Sequence, residues 1–187
     1  KHLDDLIKNG TDALGTPTYF SALDKYLIGM GKSDLVLVGA RPGMGKTSFV
    51  LNIASQVALK TKKTVAIFSL EMSCEQLVSR LLSSEAWIES SKMRKGTLDE
   101  KDWDKLARAA GVLAETDILI DDTAGITVTG MKAKLRRVKN LGLVVIDYLQ
   151  LMQSAGGKSS YNENRQQAVS DISRMLKIMA KELNVPV

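Results

Sequence analysis

Ala40-Arg41-Pro42-Gly43-Met44-Gly45-Lys46-Thr47 joins the apolar run Leu35-Val36-Leu37-Val38 to a stretch of helical periodicity that starts near Gly45 and runs towards Leu59. Strand, glycine-rich turn and helix in that order predict a phosphate-binding loop. Gly43 and Gly45 can turn backbone N–H groups inward without a Cβ clash, and the positive end of the helix favours an anion. Lys46 then falls where a point charge sits between the β- and γ-phosphates of a nucleotide, and Thr47 carries a hydroxyl where Mg²⁺ needs a ligand. In the pattern G-x-x-x-x-G-K-[ST] the first glycine is replaced by Ala40, with Gly39 just before it. Alanine fits that position if its φ is negative.

The chain has 187 residues, enough for one domain with its own core, and its 5% aromatic content makes that core aliphatic. With 26 basic and 21 acidic residues the net charge is +5, a mild bias that suits a polyanionic partner without demanding one. Cys74 is the one cysteine, which excludes an internal disulfide and a cysteine-based zinc site. His2 is the one histidine, so His-ligated metal centres and Ser-His or Cys-His nucleophile schemes lack their residues. No apolar run reaches the length of a membrane span and no leader pattern opens the sequence, so a cytoplasmic protein without a membrane partner is expected.

Residues 64–70, 117–121 and 143–147 are apolar, β-branched runs separated by helical patterns, which predicts an α/β fold with a doubly wound, mainly parallel sheet. Thr18 or Ser21 can cap a short helix ahead of Gly29, and Ser73 a helix carrying Leu77, Leu81 and Leu82. Thr97-Leu98-Asp99-Glu100 resembles a capping box opening a helix through Trp103, Leu106, Ala110 and Leu113, with Trp87 and Trp103 as packing residues. A helix over residues 127–140 turns Met131, Leu135 and Val138 inward. Its basic remainder, Lys132, Lys134, Arg136, Arg137 and Lys139, is either a solvated face or a contact surface for nucleic acid or a neighbouring subunit. A last helix runs from residue 165 or 166 through Leu183. Val185-Pro186-Val187 begins something extended, so a further strand is expected, the sheet reads as truncated at its C-terminal end, and both ends of the chain look cut.

Asp147 closes the run Leu143-Val144-Val145-Ile146, the Walker B arrangement, in which the carboxylate holds Mg²⁺ directly or through water. Glu71 follows the 64–70 strand. Ligands in open α/β sheets bind at the strands' carboxyl ends, so Lys46, Glu71 and Asp147 are expected at one edge. Hydrolysing a γ-phosphate needs a group to orient the attacking water, and Glu71 is placed for it; alternatively it favours the dipole of the helix that follows.

Four stretches in order then resemble the RecA-like motor domain of DnaB-type bacterial replicative helicases: 40–47, Phe68-Ser69-Leu70-Glu71-Met72-Ser73, Val145-Ile146-Asp147-Tyr148-Leu149-Gln150-Leu151, and Glu163-Asn164-Arg165-Gln166-Gln167. The resemblance covers nearly the whole chain. It implies residues 1–17 as the remnant of a linker helix with its connecting segment, and residues 18–187 as an incomplete RecA-like P-loop ATPase domain. It implies Gly43, Gly45, Lys46, Thr47 and Ser48 around the phosphates of ATP, Arg80 near the nucleotide, Glu71 as the water-activating base, and Asp147 with Thr47 at Mg²⁺. The parent would be a ring of six passing single-stranded DNA through its centre, with Lys158 or Arg165 on the phosphates and with primase and a helicase loader as partners. The family's glutamine sensor, arginine finger and second DNA loop would lie beyond Val187, so this chain is expected to bind ATP better than it unwinds duplex. A RecA-like recombinase, or an ATP-binding regulatory or loading module without a motor cycle, are the alternatives.

Overall fold

Thr64–Ser69 forms the central strand β1, and its whole length is buried because helices cover both faces of the sheet. The computed structural model describes residues 15–147 and 163–187, with side chains from Val169 onward in the second stretch. Residues 1–14 of the linker segment expected over 1–17, residues 148–162 and with them Lys158 therefore lie outside the described residues, as does the Arg165 side chain.

The elements follow in the order α1 (Ser21–Leu27), α2 (Lys46–Thr61), β1, α3 (Cys74–Ala86), α4 (Ser90–Lys95), α5 (Glu100–Ala114), β2 (Ile118–Asp121), α6 (Val128–Leu135), β3 (Leu141–Asp147) and α7 (Glu163–Leu183). The strands are parallel in the order β2-β1-β3, with Phe68 opposite Asp121 and Ser69 opposite Asp147. β1 deals its side chains alternately to two cores. Val65 and Ile67 meet Ala54, Val57 and Ala58 of α2 and Leu77 and Leu81 of α3, whereas Ala66 and Phe68 meet Met131 and Leu135 of α6 and Ile172, Leu176 and Met179 of α7. Each of the larger buried aliphatic side chains contributes about 1.5–3 kcal/mol by leaving water.

The chain leaves β1 towards β2 on one side and returns to β3 on the other. α3 after β1 and α7 after β3 pack on opposite faces. That divergence opens a crevice beyond the carboxyl ends of β1 and β3, where open α/β sheets bind their ligands.

Leu35-Val36-Leu37-Val38 does not form the ladder that its composition predicts. Val36 N–H donates to the Val187 carbonyl at 2.8 Å, Val187 N–H donates to the Asp34 carbonyl at 2.8 Å, and Val144 N–H donates to the Pro186 carbonyl at 3.0 Å. Residues 185–187 thus lie between β3 and the segment before the phosphate loop, as a further parallel strand would. Leu37 and Val38 are exposed.

Other departures have local causes. The helix expected from Thr97 starts two residues later, because Asp99 caps it: Asp102 N–H donates to Asp99 Oδ1 at 2.8 Å, and Asp102 closes the box. The face turned inward carries Asp102, Leu106 and Ala109, whereas Trp103 is 61% exposed and Trp87 92% exposed, so both tryptophans, expected to pack, lie mostly in solvent. The short polar stretch after Ile88 forms α4. α1 is capped by neither Thr18 nor Ser21; Asp24 instead accepts from Thr18 N–H and Oγ1 and from Tyr19 N–H. α6 stops at Leu135 rather than residue 140. Lys132 and Arg136 pair with Glu182 of α7, and Lys134 pairs with Asp121, which makes these three basic residues structural.

Candidate nucleotide site

Gly43 and Gly45 have φ of +78° and +83°, left-handed values that an L side chain adopts only under strain. Ala40 is not among the residues with positive φ, which is why alanine serves where the pattern writes glycine. Met44 N–H donates to the Arg41 carbonyl at 3.2 Å and tightens the turn before Gly45, the N-cap of α2. No side-chain hydrogen bond caps α2 at Gly45, and the first turn of such a helix is an end that favours an anion.

The first two residues of α2 meet the end of β3. Thr47 Oγ1 donates to Asp147 Oδ2 at 2.6 Å, and Lys46 Nζ lies 3.3 Å from Asp147 Oδ1. The Asp147 side chain is 4% exposed, so its charge depends on these two partners in place of water. A hydroxyl and a carboxylate in contact are the hard oxygen donors that Mg²⁺ takes, usually keeping waters in its other positions. The donor set fits that ion.

Ser69 ends β1 opposite Asp147, and Leu70 N–H donates to the Asp147 carbonyl at 2.8 Å, so the residues after β1 start beside the Walker B aspartate. The turn that follows is closed by one side chain. Ser69 Oγ donates to the Met72 carbonyl at 2.6 Å and accepts from Met72 N–H at 3.1 Å. Glu71 lies inside this turn, exposed, and lines a cleft of about 1140 Å³ shared with Gly43, Gly45, Lys46, Thr47 and Ser48. Arg80, two turns into α3, lines the same cleft. Ser73 accepts from Gln76 N–H at 3.4 Å and Gln76 answers with a bond to Ser73 N–H, so a capping box starts α3 immediately after the turn.

Lys46 and Thr47 are thus in direct contact with Asp147; Glu71, Ser48 and Arg80 line the same cleft as Lys46 and Thr47; and Lys158 and the Arg165 side chain fall outside the described residues. Arg94 of α4 was not anticipated and also lines the cleft. Its signal is missing from the sequence because α4 exists only through tertiary support: Lys92 pairs with Asp102 of α5 at 2.9 Å, and Ser83 bridges to Ser90 and to the Ile88 carbonyl. Among the described residues no helix is long and apolar enough to cross a membrane.

The profile of the DnaB-like helicase C-terminal domain matches residues 15–187. The replicative DNA helicase DnaC of Bacillus subtilis (strain 168) is 50% identical over all of this chain, which spans 41% of that protein's length. Among solved structures, one of an ATPase domain superposes with a TM-score of 0.88 at 34% identity, over 99% of this chain and 66% of that one. Another, described as a DnaB-like replicative helicase and its interactions with primase, gives 0.86 at 33% identity, over 98% of this chain and 45% of that one.

Proposed function

The chain belongs to the DnaB-like helicase C-terminal domain family, and from that premise we propose that it is the ATP-hydrolysing motor segment of a replicative DNA helicase, which moves along single-stranded DNA and separates duplex at the fork. The observation that carries this reading is the contact of Thr47 and Lys46, which line a cleft together with Glu71, with the Asp147 carboxylate. The loop N–H groups around Gly43 and Gly45, with Lys46 and Ser48, bind the phosphates. Thr47 and Asp147 would hold Mg²⁺, and the chemistry it would supply there is neutralisation of charge on the phosphate oxygens. Lys46 exchanges its pairing with Asp147 for the phosphates, and Arg80 steadies the nucleotide. Glu71 orients the attacking water and accepts its proton. In a displacement with spread charge, placement and electrostatics account for most of the rate.

The wider assignment follows the relatives. A ring of six would enclose single-stranded DNA, with Lys158 and Arg165 against its phosphates, and primase and a loader would dock on the full-length protein. Residues 1–17 serve as linker and residues 18–187 as the ATPase domain. The deciding experiment is ATP turnover by the full-length protein with and without single-stranded DNA. Stimulation that disappears in Lys46→Ala supports the motor reading. Turnover indifferent to DNA would favour a nucleotide-binding regulatory module, and strand exchange without fork unwinding a recombinase.

A further inference from the structure

Glu71 sits in a turn, and its neighbours on both sides are held. On the β1 side the Ser69 hydroxyl closes the turn through both the N–H and the carbonyl of Met72. On the α3 side Cys74 N–H donates to Asp122 Oδ2 at 2.8 Å, across 48 positions of sequence. Cys74 is the first residue of α3, and its N–H is one of the groups that a helix cannot satisfy internally. The capping box serves Ser73 and Gln76, so Cys74 depends on a carboxylate from another element. Asp122 is itself aimed. It follows Asp121, which pairs with Phe68 in the ladder; Thr123 N–H donates to Asp121 Oδ1 at 3.0 Å, and Lys134 of α6 bonds to both Asp121 and Thr123. Burial acts to raise the Asp121 carboxyl, but the bonds from Lys134 and Thr123 prevail and hold it below its ordinary range. The turn after β2 is therefore a rigid bracket that presents the next carboxylate to the start of α3.

We propose that Asp122 is a positioning residue for Glu71: by accepting the Cys74 N–H it anchors the α3 end of the 70–73 turn to the end of β2, and so fixes where the Glu71 carboxylate stands over the nucleotide. This rests on reading Glu71 as the group that orients water. A carboxylate that must align a water with the terminal phosphate tolerates little displacement, since an error of about 1 Å can cost about a hundredfold in rate. Asp122 is not among the described residues that line the nucleotide cleft, so its loss acts on kcat and leaves nucleotide affinity alone.

The test uses four variants of the full-length protein, assayed for DNA-stimulated ATP turnover at a temperature where circular dichroism shows each folded. Asp122→Ala removes the acceptor. Cys74→Pro removes the donor from the other side, at a first helical position that proline suits and after a Ser73 already extended at φ −69° and ψ 157°. Both are expected to lower kcat roughly ten- to a hundredfold with KM for ATP within about twofold of native. Asp122→Asn keeps an acceptor oxygen and is expected to retain most of kcat. Glu71→Gln separates the two readings. If it keeps native turnover, the role given to Glu71 is wrong. If it is inactive while Asp122→Ala and Cys74→Pro both keep native kcat, the anchor is overturned alone. A kcat lost equally in Asp122→Asn would also overturn it, because charge and not the bond to Cys74 would then be at work.

Discussion

Thr47 and Asp147, 100 positions apart in the chain, share a 2.6 Å hydrogen bond. It ties the first turn of α2 to the last residue of β3, and so brings a hydroxyl and a carboxylate oxygen together. Lys46 takes the other carboxylate oxygen at 3.3 Å. A nearly buried charge is thereby balanced by the groups from which a metal and a phosphate would later take over.

Lys46→Ala is expected to act twice. Without nucleotide it leaves Asp147 with the Thr47 hydroxyl as its remaining side-chain partner among those described above, costing about 1–3 kcal/mol of stability in denaturant titration. With nucleotide it removes the cation at the phosphates, and ATP turnover falls at least about a hundredfold. Unchanged stability in the nucleotide-free protein would mean that the pairing with Asp147 contributes nothing.

Asp147→Asn keeps an oxygen that can accept from Thr47 but removes the charge a divalent ion requires. Turnover is expected to fall about a hundredfold or more, and the dependence of nucleotide affinity on Mg²⁺ to flatten in titration calorimetry. A variant as magnesium-dependent as the native protein would remove Asp147 from the metal.

Trp87 is 92% exposed and sits at φ +56° as the cap that ends α3, a conformation that suits glycine. Trp87→Gly is expected to leave the stability of the 187-residue chain unchanged or to raise it by up to about 1 kcal/mol. A loss above about 1 kcal/mol, or native fluorescence from Trp87 that resists acrylamide quenching, would show that the ring packs after all.

Lys92 and Asp102 pin α4 to α5. The Lys92 hydrogen bond, against an opposing effect of burial and with help from Asp99, holds the Asp102 carboxyl below its ordinary 3.8, and the same bond raises Lys92 above its ordinary 10.5. The depressed carboxyl contributes stability above its unfolded value and loses it as pH falls through the folded one; the raised ammonium contributes below its unfolded value and loses it as pH rises through the folded one. Asp102→Asn should therefore be less stable than the native protein at neutral pH, with the gap closing in acid. A gap independent of pH between neutral and acid conditions would mean that the pair does not titrate with folding.

The fold was largely legible because its signals are local. Lys46-Thr47 after a glycine turn, and Glu71 and Asp147 after apolar runs, each announce themselves by spacing, and the two faces of β1 follow from a strand without polar interruption. What was not legible depends on partners remote in sequence. Leu35-Val36-Leu37-Val38 needs a neighbouring strand for its ladder, and the neighbour it has, through the Val36 to Val187 hydrogen bond, is remote in sequence. Trp103 reads as core by its apolar character and spacing, but the face of α5 that meets the rest of the fold is the one carrying Asp102, Leu106 and Ala109, which only tertiary packing decides. Arg94 enters the cleft only because α4 is bound down by Asp102, and nothing in Ser90-Ser91-Lys92-Met93-Arg94-Lys95 foretells that.

The most direct test is a structure of this protein with Mg²⁺ and a non-hydrolysable ATP analogue. The account predicts a metal within about 2.1 Å of Thr47 Oγ1, bound by Asp147 directly or through one water, Lys46 moved from Asp147 onto the phosphates, and the Glu71 carboxylate facing the terminal phosphate across a water. A triphosphate bound away from Lys46, or a Glu71 turned out of the cleft while nucleotide and metal are in place, would contradict it.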